Sequence, residues 1–384
     1  MAHKAYAQPS VAESEPAAAP AGHAVRCAAN GRTVNAMSVD VEDYFQVSAF
    51  ESATHDRDWD QFPRRVENNV DVILDLFAER DVKAPFFTLG WIAERHPKMI
   101  ERIVAAGHEL ASHGYRHIRV TEQTPENFRA DVRRTKAMLE DLGGHAVRGY
   151  RAASFSIDTR TLWAFEILGE EGQAYSSSVY PIRHDLYGMP DAPRFAYRPR
   201  GAGNLLEVPG TTVQVFGQNI PCGGGGYFRI LPYSLFTWAM RRVNQKDGQA
   251  CIFYFHPWEV DPRQPRIAGL PLKSRLRHYT NLSRMEDRLR RVLRDFEWDR
   301  MDRIFLGDAA GALPWTAPLQ SWRFVTWTNR TAANVTLSSN PARKRRFFTK
   351  AAGKTSSSAV SGTAAITSTP NPKASYAASC PWFM

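Results

Sequence analysis

From Thr33 onward, short apolar runs and amphipathic stretches alternate along the chain, and that alternation leaves few folds open. Residues 33–39 read as a buried strand, and a helix follows over about 63–80, with Val66, Val70, Leu74 and Phe77 at helical spacing. Strand, helix and strand return over 84–89, 91–106 and 109–112, and 125–142 adds another amphipathic helix before a strand and loop at 148–156. This order predicts a parallel α/β architecture, in which chemistry collects where strands give way to loops. Residues 278–301, with Leu282, Met285, Leu289, Val292, Leu293 and Phe296 among many charges, read as one amphipathic helix packed on the α/β body. No linker interrupts 34–312, which favours a single large domain.

The reactive residues fall at those predicted strand ends. The first strand runs into Asp40-Val41-Glu42-Asp43, the third into His113-Gly114-Tyr115-Arg116-His117, and a later apolar run into Phe255-His256-Pro257-Trp258-Glu259. His113 and His117 are spaced so that both imidazoles can reach one ion. Two neutral imidazoles and one carboxylate make a facial site suited to Zn²⁺ and, with lower affinity, to Co²⁺, Ni²⁺ or Fe²⁺. Strand alternation turns Asp40 and Glu42 the same way and Val41 into packing, so one acid can serve as base while the other meets the metal. Glu42 is the favoured third ligand and Asp43 its rival. Tyr44, Tyr227 and Trp258 are the candidate aromatic faces beside these segments on which a substrate could stack.

Composition narrows the partners. Lys and Arg number 49 against 39 Asp and Glu, for a formal charge of +10. Nine of those 49 bases and none of the acids lie in 315–384, which leaves 40 against 39 in 1–314. The body is nearly neutral, so no nucleic-acid partner is expected, and the run Arg343-Lys344-Arg345-Arg346 reads as a solvated charge cluster. Four dispersed cysteines without a Cys-x-x-Cys indicate neither a disulfide framework nor a structural zinc knot. No apolar run approaches the roughly 20 residues needed to span a bilayer, and neither signal peptide nor anchor is legible, so the expected location is cytoplasmic or peripheral to the inner membrane. Residues 1–30 read as a disordered lead and 315–384 as a disordered Ser/Thr/Ala-rich tail.

In order and context, these segments resemble the polysaccharide deacetylases of the NodB-homology family over about residues 34–312. The stretches that carry the likeness are Ser38-Val39-Asp40-Val41-Glu42-Asp43-Tyr44-Phe45, Gly107-His108-Glu109 through His117, Arg148-Gly149-Tyr150-Arg151-Ala152-Ala153-Ser154-Phe155-Ser156 and Phe253-Tyr254-Phe255-His256-Pro257-Trp258-Glu259. Gly223-Gly224-Gly225-Gly226-Tyr227-Phe228-Arg229 and Asp261-Pro262-Arg263-Gln264-Pro265-Arg266 are similar to the branch found beside exosortase and exopolysaccharide-synthesis genes, which carries a C-terminal extension. The resemblance implies an incomplete (β/α) barrel over 31–270 with a helical extension over 271–314. It also implies a metal-dependent hydrolase that removes N-acetyl groups from a hexosamine-containing glycan.

By the same resemblance, Asp40 is the general base, Arg151 the guanidinium that holds it, Ser154 the backbone amide that assists at the oxyanion, and His256 the general acid. Four positions depart from the family's pattern: Val41 where a second aspartate is familiar, Ala153 in place of proline, Tyr254 where relatives often have leucine, and Ser176 where the branch often shows aspartate. Two other readings stay open at this point. One is carbon–nitrogen hydrolysis of a small cyclic or linear amide, and the other is a glycan-binding pseudoenzyme.

Overall fold

The computed structural model describes residues 26–307 apart from 52, 185 and 186, and all of these fall within one compact unit. Residues 1–25 of the lead expected over 1–30, residues 308–314 of the expected extension and the tail expected over 315–384, with Arg343–Arg346, lie outside the described residues; residues 26–30 are ordered instead, Cys27 forming a β-bridge to Thr33 and the Ala28 N–H donating to the Arg32 carbonyl at 2.9 Å. The strands are β1 (Val34–Val41), β2 (Pro85–Thr88), β3 (Glu109–Ser112), β4 (Gly149–Tyr150), β5 (Tyr175–Ser176), β6 (Leu206–Glu207), β7 (Thr212–Val215), β8 (Gln218–Pro221), β9 (Ile252–Phe255) and β10 (Glu297–Asp299). Eight of them form one sheet in the order β10-β1-β2-β3-β4-β5-β6, with β9 also paired to β1, while β7 and β8 make a separate antiparallel hairpin. Every pairing in the large sheet is parallel, as in an open (β/α) barrel. The α/β architecture expected from the alternation is the one observed.

The helices are α1 (Val66–Ala78), α2 (Gly90–Arg95), α3 (Pro97–Ala105), α4 (Pro125–Gly143), α5 (Trp163–Glu170), α6 (Gly225–Ile230), α7 (Tyr233–Arg242), α8 (Leu272–Tyr279), α9 (Met285–Asp295) and α10 (Met301–Phe305). Helix α4 shows how the sequence sets its ends. Thr124 Oγ1 accepts the Asn127 N–H at 3.3 Å, Pro125 opens the first turn, and Gly144 closes the helix at φ 65°. Between these ends Phe128, Val132, Thr135 and Leu139 form the buried face. Among the described residues no helix is long and apolar enough to cross a membrane.

Two expectations from periodicity need correction. The helix expected over 91–106 is two helices, because His96 adopts φ −131°, ψ 53° and Pro97 begins α3. Proline lacks the N–H that would continue α2 and pushes the preceding residue out of the helical region. The helix expected over 278–301 is also interrupted. Helix α8 ends at Tyr279, Asn281 turns left-handed at φ 56°, a short 3-10 turn covers 282–284, and a separate helix runs only over 285–295. Residues 297–299 leave as β10 and pair with the start of β1, Val34 opposite Glu297, so this extension adds a strand to the sheet as well as helices.

The main core lies between the sheet and the helices α1, α3, α7 and α9. It is built on Phe77, Phe86, Phe228, Phe236, Phe253 and Phe255, with Phe228 and Phe253 ring centroids 5.0 Å apart. The core covers one side of β1 and β9 and leaves their carboxyl ends to the site.

Candidate functional site

Strand β1 ends at Val41, which is fully enclosed in the core, and Asp40 before it and Glu42 just after it are both buried, as pleat alternation requires. His113 is the first residue after β3. Its Nδ1 lies 2.8 Å from the Arg151 carbonyl oxygen, so Nδ1–H donates and the Nε2 lone pair is left for a ligand. The loop that follows is wound around Asp131 of α4, whose carboxylate accepts the Tyr115 N–H at 3.2 Å. His117 closes this loop at φ 54°, a left-handed conformation that costs a non-glycine residue on the order of 1–3 kcal/mol.

The turn brings one ligand atom from each of Glu42, His113 and His117 within 4.8 Å of the others. His117 Nε2 lies 3.2 Å from Glu42 Oε2, a buried oxygen that accepts no hydrogen bond. A buried carboxylate oxygen left in this way beside two imidazoles fits a divalent cation, and no other such group of three occurs among the described residues. The electrostatics agree. Burial holds His113 and His117 below the usual imidazole range, so both are neutral and able to ligate, and burial pushes Glu42 up to about 7.

Asp43 does not join this group. Its Oδ2 accepts the Arg65 N–H at 2.7 Å and the Val66 N–H at 3.0 Å, capping the start of α1. Asp40 instead faces Arg151. The guanidinium NH1 donates to Asp40 Oδ1 at 2.5 Å and to Ser38 Oγ at 2.8 Å, while Nε and NH2 hold the Ser177 carbonyl and hydroxyl. Arg151 is wholly buried and lies over the Phe87 ring, 4.1 Å from its centroid.

His256 follows β9, and its Nε2 is 3.4 Å from Glu42 Oε1. Its Nδ1 is 2.9 Å from Glu259 Oε1, whose partner oxygen accepts Arg229 Nε at 2.7 Å. Burial works against the His256 cation, but Glu42 and Glu259 outweigh it and raise the imidazole to about 9. Burial likewise works to raise Glu259, yet Arg229 and His256 hold it below the usual carboxylate range. Glu259 and Arg229 are residues to which the sequence reading attaches no role. The signal for Glu259 was its i+3 spacing across Pro257, since a carboxylate there closes back on the residue that starts the turn. Arg229 carries no comparable local signal.

The loop after β4 holds Ser154 at φ 54°, ψ 28° and Phe155 at φ 51°, with Ser154 Oγ 2.5 Å from Ser48 Oγ. The candidate sugar-stacking rings separate. Tyr44 is fully buried within the core and offers no face. Trp258 is 6% exposed and stacks on the rings of His256 and His278, with centroids 5.2 and 3.9 Å away, so it is packing for the site rather than an open platform. Tyr227 is partly exposed and neighbours Tyr187 and Tyr254, the latter 6.1 Å from His256 by ring centroids. Ser176 is buried, and its hydroxyl is 2.7 Å from Ser178 Oγ.

Comparison with known proteins bears on this geometry. Residues 53–171 match the polysaccharide deacetylase family model, and residues 177–306 match a domain of unknown function, DUF3473. A peptidoglycan-N-acetylglucosamine deacetylase of Bacillus cereus is 33% identical over 95 residues, 24% of this chain and 34% of that protein. A chitooligosaccharide deacetylase of a Bradyrhizobium species is 25% identical over 108 residues, 28% of this chain and 47% of that protein. The chain therefore spans about a third of one of these relatives and just under half of the other. A crystal structure of a Mycobacterium smegmatis protein assigned as a polysaccharide deacetylase superposes with a TM-score of 0.51 at 20% identity, over 78% of this chain and 99% of that one, and shares the fold. The matched segments of the chain are thus a polysaccharide deacetylase domain over 53–171 followed directly by DUF3473 over 177–306.

Proposed function

We propose that the protein hydrolyses the N-acetyl group of a hexosamine-containing glycan, releasing acetate and a free amine. The observation that carries this reading is the convergence of Glu42, His113 and His117 with an arginine-held carboxylate, Asp40, and a carboxylate-held imidazole, His256. A divalent cation held by Glu42, His113 and His117, with zinc the first expectation for two imidazoles and one carboxylate, would supply a nucleophilic water near neutral pH and a charge for the carbonyl oxygen.

The remaining work falls to the protein's own side chains. Asp40 takes the proton of the attacking water, and the buried Arg151 guanidinium holds its carboxylate in one orientation for that purpose. His256 gives a proton from Nε2 to the departing nitrogen, which an amide needs because an amide anion is too poor a leaving group at neutral pH. The backbone N–H of Ser154 is assigned to the developing oxyanion. Tyr227 is the one of the three proposed stacking rings that keeps an exposed face. By resemblance to the exopolysaccharide-locus branch, we place the substrate in exopolysaccharide assembly, on the cytoplasmic side or at the inner membrane surface.

Acetate release from defined N-acetylated oligosaccharides, with and without chelator, tests the reading. Chelator-sensitive release is expected. A protein that retains a divalent ion and binds the oligosaccharides without freeing acetate would overturn it in favour of a glycan-binding role.

A further inference from the structure

Glu259 is a fully buried carboxylate on which three donors converge. Its Oε1 lies 3.1 Å from the His256 backbone N–H and 2.9 Å from His256 Nδ1, and its Oε2 accepts Arg229 Nε. Arg229, 1% exposed, spends its other nitrogens on main-chain oxygens at the end of α8. NH1 reaches the His278 carbonyl at 3.0 Å and the Thr280 carbonyl at 2.5 Å, and NH2 reaches the Arg277 carbonyl at 3.2 Å. Space for the carboxylate is cut into α6. A Cβ added at Gly225 would lie 2.3 Å from Glu259 Oε1, and Gly225 stands four residues before Arg229, on the same helix face. None of these residues belongs to the cation group, and the hydroxyl of Ser176 is turned to Ser178 instead.

We propose that Glu259 and Arg229 are positioning residues for His256, and that the DUF3473 segment, residues 177–306, is the general-acid module of this enzyme. His256, Glu259 and Arg229 all lie in that segment, whereas His113, His117 and Arg151 lie in the segment matched as polysaccharide deacetylase. The proposal rests on the deacetylase reading. Glu259 keeps the proton-bearing Nδ1 turned away from the substrate, so that Nε2 is the nitrogen aimed at the departing amine. Arg229 holds the carboxylate and ties it to α8, whose His278 stacks on Trp258, which in turn stacks on His256.

Only a glutamate satisfies this geometry. Glutamine has one acceptor oxygen and would set its amide N–H₂ against either the Arg229 or the His256 donors. Aspartate is one methylene too short to span the two.

The test compares Glu259→Gln and Arg229→Lys with the unaltered protein on two substrates, an N-acetylated chitooligosaccharide and 4-nitrophenyl acetate, whose phenolate leaves without a proton. The ratio of amide to ester turnover is expected to fall about 100-fold in Glu259→Gln and about tenfold in Arg229→Lys, with KM for the oligosaccharide nearly constant. Proton NMR of the resting protein should show a hydrogen-bonded His256 Nδ1–H signal that Glu259→Gln removes. Thermal melts identify variants that fail to fold, and Arg229→Lys, the milder change, still reports if Glu259→Gln does not fold. Parallel loss of amide and ester turnover, an unchanged ratio, or no such proton signal in the unaltered protein would overturn the inference. An unaltered protein that frees no acetate from the oligosaccharide would refute the deacetylase reading separately, and the NMR signal would then decide the pairing.

Discussion

Glu42 and Asp43 share a peptide bond, yet their carboxylates reach different parts of the molecule, one the cation group and the other the start of α1. Alternation along β1 made half of this legible, since it turned Asp40 and Glu42 the same way. The rest depends on Arg65 and Val66, twenty-two and twenty-three residues beyond Asp43, and no local pattern announces that pairing. Opposite consequences follow for substitution. Asp43→Ala leaves the Tyr44, Arg65 and Val66 N–H groups without their acceptor and should cost about 1–2 kcal/mol in urea unfolding while cation retention is unchanged. His113→Ala should abolish retention of a divalent ion, measured by elemental analysis after desalting, because His117 and Glu42 alone make an incomplete facial set. Full occupancy in His113→Ala would remove His113 from the ligands. The Glu259–Arg229 pair was illegible for a similar reason: thirty residues separate the partners, and each is an ordinary charge until the fold buries it.

At the scale of elements, the sequence was read correctly where one period held for a whole segment and misread where the period changed inside it. In 285–295 the buried Met285, Leu289, Val292 and Leu293 follow a helix, but Phe296 and Trp298 are buried at a spacing of two, the mark of a strand. Extending the first period across the second merged α9 and β10 into one helix. Pro97 offered a plainer stop signal between α2 and α3. The consequence of β10 is structural. Trp298 is 8% exposed, packs on Phe253 and Phe296, and donates its Nε1–H to the Val292 carbonyl at 3.1 Å. Trp298→Ala should therefore cost about 3–5 kcal/mol. A chain ending at residue 270 would lose β10, α9 and the carbonyls that hold Arg229 at once, and it should show no cooperative thermal transition. A sharp melt from such a truncation would show that 271–307 is an appendage to the sheet.

Considered whole, the molecule uses opposite ends of the same strands for different purposes. Strand β3 ends at Ser112, just before His113, and begins with Glu109, whose side chain is 5% exposed. Glu109 accepts the Tyr175 hydroxyl at 2.9 Å and lies 3.3 Å from the backbone N–H of Asp302 on α10, so it ties the start of the sheet to the last described helix. Burial, reinforced by the nearby Asp302 carboxylate and only partly relieved by Tyr175 and Arg300, raises Glu109 to about 8 from an ordinary 4.5. A native pKa above the unfolded one means that the folded chain holds this proton where the unfolded chain has released it. The stabilising contribution is therefore fully present below about pH 4.5 and is lost as pH rises through about 8. Between those limits stability should fall by up to about 1.4 kcal/mol per pH unit relative to a chain lacking the group. Glu109→Gln keeps an acceptor for Tyr175 and removes the titration, while Asp302, Arg300 and His108 remain in both proteins. Urea unfolding at pH 5 and pH 8 should then give a stability difference, unaltered minus variant, that decreases as pH rises. Parallel pH dependences in the two proteins would mean that Glu109 is ionised throughout this range and that α10 is held by its other contacts.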